Sequence, residues 1–130
     1  MVPMKTLAAL AVPLAIAGCT LVPPPASTPP QPSGYAVPFD VPVQVGDLVV
    51  TPKKLVEDSR CPMNARCVWA GRVVVTARIV GPGFADTADL TLGEPFGTHG
   101  KMLSLVSVRP EKTTQTEITA RDYRFAFEPR

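Results

Sequence analysis

The stretch 58–79, DSRCPMNARCVWAGRVVVTARI, constrains the fold of this chain more than any other part of the sequence. Cys61 and Cys67 enclose a short segment with Pro62 and Asn64, two residue types that favour chain reversal. A reversal can bring the two sulfurs within bonding distance. The residues after Cys67 then change to an alternating pattern. The stretch therefore predicts a small disulfide-closed loop that leads directly into a central β-strand.

The predicted central strand rests on alternation with a period of two, which is typical of a strand with one buried face. One face carries apolar residues and the other carries polar ones, namely Val73, Val75, Ala77 and Ile79 against Arg72, Thr76 and Arg78. Trp69 is expected to cover the disulfide. Gly71 indicates a bulge or a close approach of two backbones.

The cysteine pair has three chemical interpretations. In an exported protein, a structural disulfide between Cys61 and Cys67 is the favoured one. Two thiolates with Met63 between them would also suit Cu(I), which prefers soft sulfur ligands. A thiol-redox role is the third interpretation, although the spacing lacks the CxxC pattern that lowers a thiol pKa. The copper-binding or thiol-redox alternative would use Cys61, Met63 and Cys67.

The motifs DSRCP and CVWAG carry a resemblance to known proteins. In this spacing the chain resembles an uncharacterised family of small bacterial exported proteins and lipoproteins with a DSRCP…CVWAG motif. The likeness extends more weakly through 106–110 and 122–124, so it covers about the last two-thirds of the chain. It implies the disulfide and a β-rich fold, and it implies no catalytic residues.

The N-terminus resembles a bacterial lipoprotein signal. Lys5 precedes an apolar run from Leu7 to Ala17, which is shorter than the roughly 20 residues that a membrane-spanning helix needs. The run ends at Gly18 and Cys19, and such a lipobox cysteine is cleaved at its amino side and acylated. An ordinary cleavable signal is the alternative. Lipidation of Cys19 also explains the odd count of three cysteines, since two remain to pair.

The expected organisation has three parts, which are a signal peptide at 1–18, a lipidated cysteine and proline-rich tether at 19–34, and a β domain at 35–130. The segment 23–33 reads PPPASTPPQPS and favours an extended polyproline conformation. At about 3.1 Å per residue it would reach roughly 35 Å from the bilayer. The residue after Cys19 is Thr20 and not Asp, which, by resemblance to the sorting rule of Gram-negative lipoproteins, implies the outer membrane, facing the periplasm.

Alternation and turn signals predict an all-β domain, a small antiparallel β-sandwich or barrel of six to seven strands. Segment 39–45 predicts the first strand, and Pro52 is expected to interrupt the second. The polar stretch 93–101 is expected to form a loop. The parity of Val108 relative to Leu103 and Leu105 predicts a bulge or register shift. The closing strand places its aromatic residues in the core, namely Tyr123, Phe125 and Phe127.

The absence of a reactive cluster favours a non-catalytic binding or structural domain, with an enzyme whose loops converge on a pocket as a further alternative. Of 13 basic residues, removal of the signal takes only Lys5, which leaves 12 against 11 acidic ones and argues against nucleic acid. His99 has no nucleophile pattern beside it, and no set of residues forms a recognisable active site or metal site. The expected partners are the lipid bilayer, through Cys19, and an envelope protein or cell-wall component. Met63, Arg66 and Trp69 are the candidate partner contacts.

Overall fold

The computed structural model describes residues 28–130, together with the isolated positions Pro3, Ala11, Pro13 and Gly18. Cys19, the rest of the predicted signal and the predicted tether up to residue 27 lie outside the described residues. Within the described part, no helix has the length and apolar character needed to cross a bilayer.

Two antiparallel sheets build the domain, which confirms the prediction of a small β-sandwich. The four-stranded sheet has the order β1–β2–β3–β4, and the three-stranded sheet has the order β5–β6–β7. The sheets do not close on one another into a barrel. The strands are β1 Val43–Val45, β2 Leu48–Asp58, β3 Val73–Gly81, β4 Phe84–Thr91, β5 Pro95–Thr98, β6 Lys101–Arg109 and β7 Arg124–Pro129.

The core lies between the two sheets, where β1 lies against β7 and β4 lies against β6. The inward-facing residues of β3 are fully buried as alternation predicted, and Phe125 and Phe127 of β7 are buried with them. Phe39 packs on Phe125 with a ring-centroid distance of 4.8 Å. The largest fully buried side chains are all apolar, so burial of aliphatic and aromatic groups drives the two sheets together.

The chain before β1 already packs on the sheets. Gln31 forms a parallel bridge with Val43, and Gly34 donates its backbone N–H to the carbonyl of Phe127 at 2.8 Å. Val37 is buried and exchanges two backbone hydrogen bonds with Phe125. This segment therefore pairs first with β1 of the four-stranded sheet and then with β7 of the three-stranded sheet.

Two strand predictions for the first half of the chain were wrong. Only Val43–Val45 of the segment 39–45 forms a strand, because Asp40 turns the chain with a positive φ of 66°. β2 continues through Pro52, which was expected to interrupt it. A β-bulge follows Pro52 directly, and bulges are positions where a sheet tolerates the missing N–H of proline.

The stretch 93–101, expected to be a loop, contains β5 and the turn into β6. His99 occupies that turn with a positive φ of 48°. Its ring stacks on that of Phe84, with the ring centroids 3.7 Å apart. The register shift expected near Val108 is confirmed, since the pairing of β6 with β7 shifts between Leu105 and Ser107. That shift returns Val108 to the buried face.

Candidate functional site

The segment 59–72, called here the cysteine loop, connects β2 to β3 and is closed at several points. Ser59 donates its backbone N–H to the carbonyl of Arg72 at 2.8 Å, and the Ser59 hydroxyl accepts from the N–H of Arg72 at 3.0 Å. Cys61 and Cys67 form a disulfide with a Cα–Cα distance of 5.8 Å. The loop predicted from sequence is thus confirmed, with a hydrogen-bonded base below the disulfide.

Gly71 is the position at which the base of the loop closes. Its φ is +70°, and an added Cβ atom would lie 1.8 Å from the carbonyl oxygen of Ser59. No side chain fits there without moving the backbone, which confirms the close approach expected at this glycine. The loop base therefore depends on both the conformational freedom and the small size of Gly71.

A buried ion pair fixes the loop to the sandwich. The Arg60 guanidinium donates two hydrogen bonds of 2.9 Å to the carboxylate of Asp58, and a third of 3.1 Å to the carbonyl of Val108. The Tyr123 hydroxyl donates to the same carboxylate at 2.7 Å. The side chains of Asp58 and Arg60 are only 6% and 14% exposed. Asp58 lies in one sheet and Val108 in the other, so this cluster bridges both.

The protonation states of this cluster follow from its contacts. Burial alone would raise the pKa of Asp58, but the hydrogen bonds from Arg60 and Tyr123 lower it to about 2. The hydrogen bond to Asp58 raises the pKa of Arg60. Burial, reinforced by the hydrogen bond to Asp58, raises the pKa of Tyr123 to about 12. The ion pair therefore stays charged, and Tyr123 stays a neutral donor, across the physiological pH range.

A second segment, 110–118, supports the cysteine loop from the side. The Lys112 ammonium donates a hydrogen bond to the backbone carbonyl of Asp58 at 2.8 Å. The backbone carbonyl of Lys112 accepts one from the N–H of Met63 at 2.8 Å. The Asn64 amide donates to the Thr114 hydroxyl at 2.6 Å and accepts from the Thr114 N–H at 3.0 Å. Three of these bonds join segment 110–118 to the cysteine loop, and the fourth joins it to the end of β2.

The tip of the loop exposes large apolar side chains. Val68 is 91% exposed, Trp69 is 82% exposed and Met63 is 70% exposed. Arg66 is also exposed, so all three candidate partner contacts from the sequence lie on one short segment. The expectation that Trp69 covers the disulfide was wrong, because its side chain projects into solvent. Exposed apolar side chains on a fixed loop are typical of a binding surface.

The sequence interpretation missed the ion pair and Val68. In the structure, Arg72 forms an ion pair with Glu57, and Arg60 forms one with Asp58. His99 is held by Asp86 at 2.7 Å and contributes nothing to the loop. Among the described residues, no group of three or more His, Cys, Asp or Glu side chains is arranged to hold a metal ion.

Comparisons with known proteins give no assignment. No family model matches the chain, and neither a curated protein nor a solved structure is significantly similar to it. The geometry of the loop therefore carries the functional argument.

Asp58→Asn tests the ion pair by its pH dependence. The folded-state pKa of Asp58 is about 2, below its ordinary 3.8, so its contribution is complete above about pH 4 and is lost as pH falls through 2. We expect Asp58→Asn to lower the free energy of unfolding measured in urea. About 1–2 kcal/mol of this loss should be present at pH 7 and largely absent at pH 2. The exposed Asp89, which accepts from the Thr76 hydroxyl at 2.7 Å, supplies the control Asp89→Asn. An Asp58→Asn effect that stays constant from pH 7 to pH 2 would contradict this account.

Gly71→Ala tests the closed base of the loop against Gly83→Ala. Both glycines have a positive φ, which costs alanine about 1–2 kcal/mol. An added Cβ meets no atom within 4 Å at Gly83, whereas at Gly71 it meets backbone. We therefore expect Gly71→Ala to lower the free energy of unfolding clearly more than Gly83→Ala. Equal losses in denaturant titrations would show that the base of the loop is free to move.

Proposed function

We propose that this chain is a lipid-anchored protein of the bacterial cell envelope whose cysteine loop binds a partner protein without catalysis. The observation that carries the proposal is the exposure of Met63, Val68 and Trp69 on a loop fixed by a disulfide and a buried ion pair. Large apolar side chains exposed on one ordered loop are candidates for contact with another surface.

The anchoring part of the proposal rests on the sequence. A single basic residue, a short apolar run and small residues before Cys19 resemble a lipoprotein signal. Acylation of Cys19 would insert the chain in the bilayer, with the outer membrane favoured by Thr20. The disulfide supports export, because such bonds persist mainly outside the cytosol. The proline-rich residues after Cys19 would space the domain from the membrane.

The binding part rests on the chemistry of the loop tip. Tryptophan contributes more than most side chains to protein–protein affinity, and an exposed arginine beside it suits a carboxylate at the rim of an interface. Because the disulfide and the bonds to Lys112 and Thr114 already order the loop, binding would cost little conformational entropy. This combination favours a protein partner with an apolar pocket over a polysaccharide of the cell wall.

The copper-binding or thiol-redox alternative is less well supported by the geometry. It needs the sulfurs of Cys61 and Cys67 as thiolates, whereas the structure joins them in a disulfide. The Met63 side chain is exposed to solvent, where a partner can contact it. The structure therefore favours the binding role for this loop.

Cys19→Ser tests the anchor. We expect the natural chain to incorporate labelled palmitate and to sediment with outer-membrane vesicles on a sucrose gradient. Cys19→Ser should lose both the label and the sedimentation, because its hydroxyl cannot accept the thioether-linked lipid. The double variant Cys61→Ser, Cys67→Ser serves as the control and should keep the label. Labelling that survives Cys19→Ser would refute the anchor.

Trp69→Ala tests the binding surface. A photo-crosslinking amino acid at position 66 should give one discrete protein adduct in intact cells, and Trp69→Ala should abolish it. Tyr35→Ala is the matched control, since Tyr35 is an exposed aromatic residue outside the loop. Because Trp69 is the sole tryptophan, binding of the identified partner should also shift its fluorescence to the blue. Adducts that persist in Trp69→Ala, or that contain only peptidoglycan, would contradict a protein partner.

A further inference from the structure

A second surface lies beside the cysteine loop, where the Phe39 turn and the segment before β7 meet β2. It is a cleft with a volume of about 500 Å³, lined by Phe39, Lys53, Lys54, Leu55, Ile118 and Tyr123. The cleft is open to solvent, and its volume lies within the range of small-molecule sites. Neither the anchor nor the loop tip uses this cleft, so an inference about it does not depend on the proposed function.

The cleft exists because β2 is irregular at this point. In a regular strand, successive side chains point to opposite faces, so three consecutive residues cannot line one cavity. Here Pro52 pairs with Ala77 and Lys54 pairs with Thr76, which leaves Lys53 as an extra residue in a β-bulge. A second shift follows between Leu55 and Glu57. Bulges re-aim side chains in this way and are frequent beside binding sites.

The inner wall of the cleft is apolar and contains two rings. Phe39 and Tyr123 meet edge to face with centroids 6.3 Å apart, and Phe39 is further supported by Phe125 at 4.8 Å. Leu55 and Ile118 are partly buried and pack against the core. The position of Tyr123 is fixed by its hydrogen bond to Asp58. The wall is therefore preformed, and it offers the partly exposed ring of Phe39, backed by the buried ring of Tyr123, to a flat apolar group.

The rim of the cleft has an excess of positive charge. Lys53 is paired with Asp40 at 2.9 Å. Lys54 is exposed, and within residues 28–130 no carboxylate lies at salt-bridge distance from its ammonium group. One lysine is thus left without a counter-charge beside an apolar wall. A ligand with one negative group and a flat apolar body would satisfy both features.

From this arrangement we propose that the cleft binds a small amphipathic anion, with its flat apolar body against Phe39, Ile118 and Tyr123 and its anionic group beside Lys54. The bulge at Lys53 is the device that brings the charged and apolar contacts to the same cavity. The aromatic wall supplies affinity for the ring system, and Lys54 supplies selectivity for the charge.

The test uses a pair of probes on the folded domain. 8-Anilinonaphthalene-1-sulfonate has the proposed chemistry, and N-phenyl-1-naphthylamine has the same ring system without the charge. We expect the sulfonate to bind saturably at one site by fluorescence titration. Amide shifts in ¹⁵N spectra should concentrate around Lys54, Ile118 and Tyr123.

Variants of the cleft separate the two contributions. Lys54→Gln should weaken the sulfonate about two- to five-fold at low salt and leave the neutral probe unchanged, because only a surface charge is lost. Ile118→Ser should weaken both probes, by roughly ten-fold. Arg78→Gln removes an exposed cation from the face of β3 and should change neither. All three positions are outside the fully buried core, so the variants are expected to fold, which their ¹⁵N spectra will show.

Two results would overturn the proposal. The first is sulfonate affinity that is the same in Lys54→Gln, Ile118→Ser and the natural chain. The second is amide shifts that concentrate away from the cleft, for example at the exposed tip of the cysteine loop. Equal weakening of both probes by Lys54→Gln would also contradict the assigned role of Lys54 in charge selection.

Discussion

The structure depends most on the buried carboxylate of Asp58. It accepts hydrogen bonds from Arg60 and Tyr123, and Arg60 continues to the carbonyl of Val108, so one charged group connects the two sheets where the cysteine loop begins. Burying such a pair costs desolvation energy that offsets much of its attraction. Removal of one partner, however, leaves the other as an uncompensated buried charge. The main consequence of the ion pair is therefore geometric, because it fixes the positions of the cysteine loop and of Tyr123.

The cysteine loop obtains its order in a different way from the rest of the domain. The sheets bury a continuous set of apolar side chains, whereas the loop from Met63 to Ala70 is exposed throughout. Without burial, its conformational entropy must be opposed by other means. The loop is ordered instead by the disulfide ring, by close backbone contact at Gly71, and by polar bonds to Lys112 and Thr114. The disulfide thus shapes a surface, and the sandwich does not need it as a core element.

Alternation predicted the parts of the fold that face the core. It identified β3 and β7, and the parity of Val108 revealed the shift in β6, because side chains in a strand must alternate. It did not predict that β2 continues through Pro52, since local propensity opposes this and only the bulge permits it. Asp58 and Tyr123 are 65 positions apart, so no local pattern could join them. The exposure of Trp69 was likewise unpredictable, because tryptophan beside a disulfide is compatible with burial or display.

One segment outside the sheets contributes to both candidate surfaces. The segment 110–118 contacts the cysteine loop through Lys112 and Thr114, and it lines the cleft through Ile118. It buries little, and its position follows from one polar bond to the end of β2 and from three to the cysteine loop. A sandwich whose core is complete can vary such segments at small cost in stability. Phe39, Leu55 and Tyr123 differ from that segment, since they line the cleft and also belong to or pack against the core. At these three residues the requirements of folding and of the proposed binding coincide.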